Sequence, residues 1–341
     1  MAASIEDVAK LAGVSIATVS RSLRGLPDVA TATRDRVLAA AQELDYVASP
    51  FAARLASGRS STLGVVMPFV NRWFFSEVLG SVESVLSNAN YDLLLHNLGD
   101  SEGRARFFTN LPVRKRVDAV LVVSLALTED EVAALKTLDL PVGVLGVKHP
   151  GMFSVRIDDV VAATSAVEHL LSLGHRRIAL IGGDTDDPMR FTPPHHRGTG
   201  YREALRGAGI EPDPALQVLG YFTVAGGEAA MTRLLDGPQP PTAVFAESDE
   251  MAYGAIKAIR RRGLRVPEDV AVIGFDDHAT AELMDLTTVR QPVAEQGAVL
   301  AQELLDSLSG AAGEPSDLVL DTELVVRGST VAGASVYAQP G

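Results

Sequence analysis

Near the N-terminus, apolar residues Ile5, Val8, Ala9 and Ala12 recur at spacings of three and four, and Val14, Val19 and Leu23 make a second stripe. Such spacing predicts two short helices that bury their stripes against each other, joined by the tight turn Ala12-Gly13-Val14, with Ser15 placed to cap the second. Ala17, Ser20, Arg21 and Arg24 are left outward on that second helix. After a turn at Gly25–Asp28, a third helical pattern runs from about Ala32 to Leu44, with Val37, Ala41 and Leu44 on one face. Tyr46–Ser61 is linker-like in its Pro, Gly and Ser content, although Pro50 followed by Phe-Ala-Ala-Arg-Leu-Ala predicts a short helix.

From Thr62 the pattern changes to alternating strand and helix. Leu63–Met67, Leu93–Leu95, Ala119–Val123 and Val142–Leu145 read as buried parallel strands, and a second series follows at Ile178–Ile181, Val218–Tyr221, Ala243–Ala246 and Val270–Phe275. Two such series imply right-handed βαβ units in two doubly wound α/β subdomains. Ligands bind at the C-terminal strand ends of these sheets, so two facing sheets enclose a cleft.

Composition narrows the choice further. The 341 residues are 47% hydrophobic and 21% charged, as in a soluble globular protein of more than one domain. No apolar run approaches the roughly 18 residues of a membrane span, and no apolar signal-peptide core is present, so a cytoplasmic protein without a membrane partner is expected. Zero cysteines exclude disulfides, thiolate catalysis and Cys-ligated zinc. The net charge of −13 is unevenly spread: residues 1–62 carry +1 and the rest −14. Phosphate attraction at the head would therefore rest on local placement, helix N-termini and two copies per complex.

The run Asp7-Val-Ala-Lys-Leu-Ala-Gly-Val-Ser-Ile-Ala-Thr-Val-Ser-Arg21 resembles the N-terminal signature of the LacI/GalR family of bacterial transcription regulators. Similarity continues through Leu173–Gly182 and Gly263–Asp277 almost to the C-terminus, and the core also resembles periplasmic sugar-binding proteins. The resemblance implies a helix-turn-helix DNA-binding domain over 1–48, a hinge helix and linker over 49–61, and an effector-binding core over 62–335. In that core an N-subdomain takes about 62–160 and 291–320, a C-subdomain about 161–289 and 321–335, and residues 336–341 are a tail. It further implies a homodimeric repressor on a pseudo-palindromic operator, with no cofactor. The absence of a C-terminal leucine heptad favours a dimer over a tetramer.

On that resemblance Ile16 and Ala17 occupy specificity positions, and Arg21 reads a base edge, as a guanidinium facing guanine can. Ser15, Thr18 and Ser20 are assigned to phosphates, and Ser4 and Arg24 are counted among the DNA-binding residues. Ala30 stands where the family usually has Ser ahead of the third helix, so Thr31 or Thr33 is expected to replace its cap and phosphate contact. Leu55 matches a hinge leucine that wedges between central base pairs.

Arg72-Trp73-Phe74-Phe75 follows the first core strand and holds the chain's single Trp, which suits a stacking platform for a ring. The family match favours Phe74 and Phe75, and core filling is the alternative for Trp73 and Phe75. Arg197 and Asp276 match the family's effector-binding pair; helix capping by Asp276, or by Asp277 in its place, is the alternative for the aspartate. Phe222, Ser248 and Asp249 sit at further strand ends, and His195 and His196 are read as loop histidines. A sugar or sugar derivative fits an aromatic platform with Arg and Asp, and so does a nucleoside. Two other classes compete. A solute-binding protein has the core fold but not the head; a serine hydrolase is suggested by Gly99-Asp-Ser101-Glu-Gly103, where flanking carboxylates oppose an oxyanion.

Overall fold

The computed structural model describes residues 3–23, 27–46, 59–311 and 313–331. Contacts divide the chain into two compact units, residues 1–61 and 62–341.

In the first unit, α1 (Ile5–Ala12), α2 (Ile16–Leu23) and α3 (Thr31–Glu43) close around Val8, Ala12, Val19, Val37 and Ala41. Ser4 and Asp7 form a capping box at the start of α1, and Gly13, at φ 67°, ends it in the left-handed conformation that glycine adopts without strain. The third helix starts one residue earlier than the sequence suggests and has no side-chain cap, because Ala30 occupies the capping position. Thr31 and Thr33 lie within the helix and do not cap it. Arg24 and the hinge segment with Leu55 fall outside the described residues, as does the tail.

The second unit contains two six-stranded sheets. The chain runs through β1 (Thr62–Met67), α4 (Trp73–Asn88), β2 (Asp92–Asn97), α5 (Ser101–Asn110), β3 (Ala119–Val123), α6 (Glu129–Lys136), β4 (Val142–Leu145) and β5 (Phe153–Ile157). It continues through α7 (Asp159–Ser172), β6 (Ile178–Gly182), α8 (Pro193–Gly207), β7 (Gln217–Leu219), α9 (Val224–Leu235), β8 (Ala243–Ala246), α10 (Asp249–Arg261) and β9 (Ala271–Asp276). The last elements are α11 (Thr280–Leu283), β10 (Thr287–Arg290), α12 (Val293–Ser309), β11 (Asp317–Leu320) and β12 (Glu323–Val325).

One sheet has the order β11-β5-β4-β3-β1-β2 and is parallel throughout. The other has the order β12-β10-β9-β8-β6-β7, with only β12 antiparallel. Every residue of β1, β3, β4 and β8 is buried, as a strand covered by helices on both faces requires. Each fully buried Val, Leu or Phe in these layers contributes about 1.5–3 kcal/mol. The chain passes between the sheets three times: after Ile157, after Arg290 and after Leu320.

Two strands depart from the sequence reading. β5, Phe153-Ser-Val-Arg-Ile157, went unread because Ser154 and Arg156 interrupt its apolar run; Arg156 makes a bidentate pair with Asp317 of β11 at 3.0 and 3.0 Å. The strand expected at Val218–Tyr221 ends at Leu219, since Tyr221 and Phe222 both take φ 54° and turn the chain toward the cleft.

Candidate functional site

The head presents a consistent outer face. Ser15 Oγ accepts from the Thr18 amide at 3.1 Å, capping α2, and lies 2.9 Å from the Thr18 hydroxyl. Ile16, Ala17 and Arg21 are exposed, Ser20 is half-buried, and Val19 faces the core. Ile16 is 47% exposed. Ser4 Oγ is committed to the capping box with Asp7, whose carboxyl is held below the usual range by those hydrogen bonds. Thr33 is half-buried in the first turn of α3.

In the second unit, side chains gather where strands of both sheets end. β1 leads into Trp73 and Phe74, β3 into Ser124, β5 into Asp159, β7 into Phe222, β8 into Glu247 and Ser248, and β9 ends at Asp276. Between them lie two small cavities of about 30 and 50 Å³, and a chamber of about 430 Å³ that shares Gly146, Ile157 and Asp159 with the second of these.

Arg197 is the hub of this cleft. It lies in the second turn of α8 and is 5% exposed, so it is not a surface arginine. Its Nε donates to Asp159 Oδ1 at 2.8 Å and its Nη1 to the Glu247 carbonyl at 2.5 Å, with Asp276 Oδ1 at 3.7 Å. The guanidinium lies over the Phe275 ring at 3.6 Å. Asp276 also accepts from Gln291 at 2.5 Å, and Gln296 of α12 donates to Gln291 at 3.1 Å. A hydrogen-bonded chain thus runs from a helix packed on one sheet, through a crossover, to the other sheet.

Burial dominates the titration of the carboxyls. It pushes Asp276 up to about 7 despite the opposing Arg197 charge and the Gln291 hydrogen bond, and pushes Glu247 up to about 8. Asp249 is likewise raised. Asp276 holds φ 119°, outside ordinary L-residue territory, a conformation that costs on the order of 1–3 kcal/mol and persists only where neighbours fix it.

Neither aspartate at this turn caps a helix. Asp277 pairs with Arg290 at 2.7 Å and Arg327 at 2.8 Å, and α11 begins without a side-chain cap.

The aromatic cluster divides. Phe74 lines both small cavities, and Trp73 reaches across to the other sheet, its ring 4.9 Å from that of His278. Phe75 is turned into the core, 1% exposed, because Phe75, Val78, Val82 and Leu86 form the buried stripe of α4, and it also borders one of the small cavities. Arg72 stands over the Phe69 ring at 4.2 Å, within electrostatic reach of Glu250 and Asp187. Phe222 packs edge-on against Phe191 at 5.3 Å.

Two residues expected to touch a ligand are occupied within the protein. Ser248 caps α10 by accepting from the Met251 amide at 3.3 Å. Asp249, fully buried, accepts from the Thr288 hydroxyl at 2.6 Å and from the His278 amide at 2.8 Å, which fixes the β9 turn in place.

His195 and His196 belong to the first turn of α8, not to a loop. No metal-binding cluster of three or more His, Cys, Asp or Glu occurs among the described residues.

Asp159, Phe191, Glu247 and Gln291 are not marked as site residues by the sequence, and His278, which it offers only as the histidine of a hydrolase triad with Asp276, lines a cleft cavity instead. Asp159 follows the unread strand β5. Phe191 comes from the loop after β6, which crosses to the other sheet: Leu125 and Phe191 form a β-bridge, the Ala126 amide donates to the Arg190 carbonyl, and buried Arg104 donates to the Met189 carbonyl.

Nor is there a hydrolase triad. Asp100 caps α5, Ser101 is exposed in that helix's first turn, Asp276 is bonded to Gln291, and His278 Nδ1 accepts from the Thr280 amide.

Comparison with known proteins agrees with this arrangement. Residues 4–49 match bacterial regulatory proteins of the lacI family, and residues 167–330 match a periplasmic binding protein-like domain. The HTH-type transcriptional repressor CytR of Escherichia coli (strain K12) is 38% identical over 334 residues, covering 96% of each chain. A CelR–cellobiose complex superposes with a TM-score of 0.71 at 36% identity, covering 96% of this chain and 99% of that one. The lac repressor dimer bound to operator and the anti-inducer ONPF gives a TM-score of 0.87 at 27% identity, over 97% of this chain and 100% of that one.

Proposed function

Because the chain belongs to the LacI family of bacterial regulatory proteins, we propose that it is a ligand-responsive, sequence-specific repressor of transcription. The observation that carries this reading is one chain joining a helix-turn-helix, with Ile16, Ala17 and Arg21 exposed on its second helix, to a cleft whose hydrogen-bonded chain links two sheets. Two heads of a homodimer read a pseudo-palindromic operator, since a twofold assembly imposes its symmetry on the site. Arg21 donates to a guanine edge, Ile16 and Ala17 select by shape, and Ser15, Thr18 and Ser20 face phosphates.

A small carbohydrate-like effector enters between Phe74, Phe222, Arg197 and Asp276. It alters how the two sheets are held together and so biases the head's affinity for DNA, with a coupling of about 1–3 kcal/mol. The protein performs no catalysis and works in the cytoplasm, where its DNA lies.

The test is selection of bound sequences from a randomised double-stranded library by the full-length protein. An inverted repeat is expected, and Arg21→Ala should lose the preference at one base pair per half-site, a change of about 1–3 kcal/mol. Selection without symmetry, or an Arg21→Ala variant that keeps full preference, rejects the reading.

A further inference from the structure

Charge on the second unit is unevenly placed. Many of its cations are held by carboxyls, Arg104 by Glu131 for one, and Lys257 and Arg261 together by Glu228. The loop between α5 and β3 differs. Arg114, Lys115 and Arg116 stand there in succession, all three are exposed, and no carboxyl pairs with any of them among the described residues.

This loop is firmly seated. Leu111, Val113 and Val117 are buried, and the two valines pack over Gly64 of β1, where an added Cβ would stand 3.3 Å from each. The Arg114 amide donates to the Leu111 carbonyl and the Arg116 amide to the Val113 carbonyl, both at 2.9 Å, and Lys115 takes φ 60° between them. Arg114 also donates to Thr137 Oγ1 at 2.7 Å, which brings it to the end of α6, where Lys136 adds a further exposed cation.

Strand C-termini face the cleft, so a loop that precedes β3 lies on the opposite edge of its sheet. The chain enters the second unit from the DNA-binding one at that same edge: the Asp118 amide donates to the Thr62 carbonyl at 2.8 Å. Residues 47–61, which join Tyr46 of the head to Thr62, span at most about 50 Å. DNA held by the head is therefore within tether distance of this edge, and the head is poor in charge, residues 1–62 netting only +1. Asp92, Asp118 and Asp139 share the edge, yet none pairs with the loop's cations among the described residues.

We propose that Arg114, Lys115 and Arg116 form a second DNA-contacting surface, which binds the phosphate backbone of the duplex without reading its sequence. This rests on the regulator reading above and adds to it a sequence-independent contribution supplied by the core. Its source is counterion release: each phosphate neutralised by a cation steepens the fall of log K with log salt by about 0.9. Exposed cations on a fixed turn suit that role, since phosphate contacts position a protein on DNA and carry no sequence information directly.

The experiment follows anisotropy of the selected operator, and of a scrambled duplex of equal length, with the full-length protein over a range of salt. Lys115→Gln/Arg116→Gln removes two charges from each chain of a dimer. The slope should become shallower by about 2–4, so that between about 50 and 200 mM salt the wild type loses on the order of 10–100 times more affinity than the variant. Operator and scrambled duplex should weaken alike, leaving their affinity ratio unchanged. Thermal unfolding should keep its midpoint, because neither side chain has a hydrogen-bond or ion-pair partner to lose among the described residues.

Lys115→Arg/Arg116→Lys keeps the charge and should match the wild type. Arg176→Gln/Arg233→Gln removes as much charge from exposed sites beside the other sheet and should leave the slope in place. An unchanged slope in Lys115→Gln/Arg116→Gln overturns the proposal, and is the result expected of a loop that serves an acidic protein instead. An equal change in the Arg176→Gln/Arg233→Gln control overturns it too, as does loss of sequence preference. Failure of the regulator reading would appear separately, as no inverted repeat selected by the wild type.

Discussion

Replacing Arg197 by methionine removes a charge from the centre of the cleft while keeping most of the side chain's bulk over Phe275. Asp159 loses its 2.8 Å partner, Asp276 loses its nearest cation, and the Glu247 carbonyl loses its donor. Breaking a buried ion pair from one side costs about 3–5 kcal/mol, because the partner is left charged and desolvated. That cost depends on pH in a definite sense. The carboxyl of Asp276 already titrates near 7 in the folded protein, above its ordinary 3.8. Without Arg197, whose charge opposes that rise, its folded value moves further up.

A group whose folded value is raised binds more protons folded than unfolded, so the variant gains stability as pH falls. The deficit relative to wild type should be about 4 kcal/mol near pH 8 and about 1–2 kcal/mol near pH 5.5, where what remains is the lost cation–π contact and neutral hydrogen bonds. Urea unfolding followed by circular dichroism at the two pH values measures both. As a control, Arg265→Met breaks an exposed, solvent-screened pair with Asp269 and should leave the unfolding midpoint nearly unchanged at either pH. Equal deficits for Arg197→Met at both pH values, or a deficit as small as the control's, would refute this account of the cleft.

Trp73 is the chain's single tryptophan and lies 4.9 Å from His278, whose protonation burial holds below the ordinary value of 6.5. Its emission should fall on acidification with a midpoint under that value, and the step should vanish in His278→Ala; a midpoint at or above 6.5 contradicts the contact. Gly254→Ala on α10 would set a methyl 2.1 Å from the Val224 carbonyl oxygen and 2.5 Å from the Glu228 amide nitrogen. It should cost at least about 1–3 kcal/mol in thermal unfolding, whereas Gly207→Ala, whose added methyl meets nothing, should be neutral or gain up to about 1 kcal/mol. In the head, Val19→Ala should lower operator binding by opening a small core while leaving the thermal shift produced by a core ligand intact, and parallel loss of both would sink that separation.

Much of the architecture was legible because parallel strands buried on both faces are written as unbroken apolar runs. β3, β4 and β8 could be read to the residue, and the two helices of the head declared themselves through stripes, a glycine turn and a capping serine. β5 was illegible for the converse reason: a strand that holds an ion pair with its neighbour must contain the arginine that breaks the apolar run. With it went Asp159, the principal partner of Arg197.

Phe75 could have been assigned to the core from sequence, since it begins the stripe continued by Val78, Val82 and Leu86. Trp73 against His278 and Phe191 against Leu125 could not, because each contact joins segments of different sheets, and no local periodicity encodes that meeting. Arg197 and Asp276 came from resemblance; that Asp249 braces the β9 turn from behind needed coordinates.

The three passages between the sheets have a consequence for how this protein is made. Neither sheet is a continuous stretch: β11 completes the one built mostly from residues 62–157, and β12 completes the other. Although domains of a growing chain generally fold in order of emergence, here both sheets wait for the same last few strands. While the ribosome works through α12, β5 and β10 each present an open backbone edge, a template for mispairing between nascent chains. A stalled or truncated product ending before residue 317 would lack both closing strands at once, so a nonsense mutation there is expected to yield aggregate or degraded protein, and not a half-functional regulator.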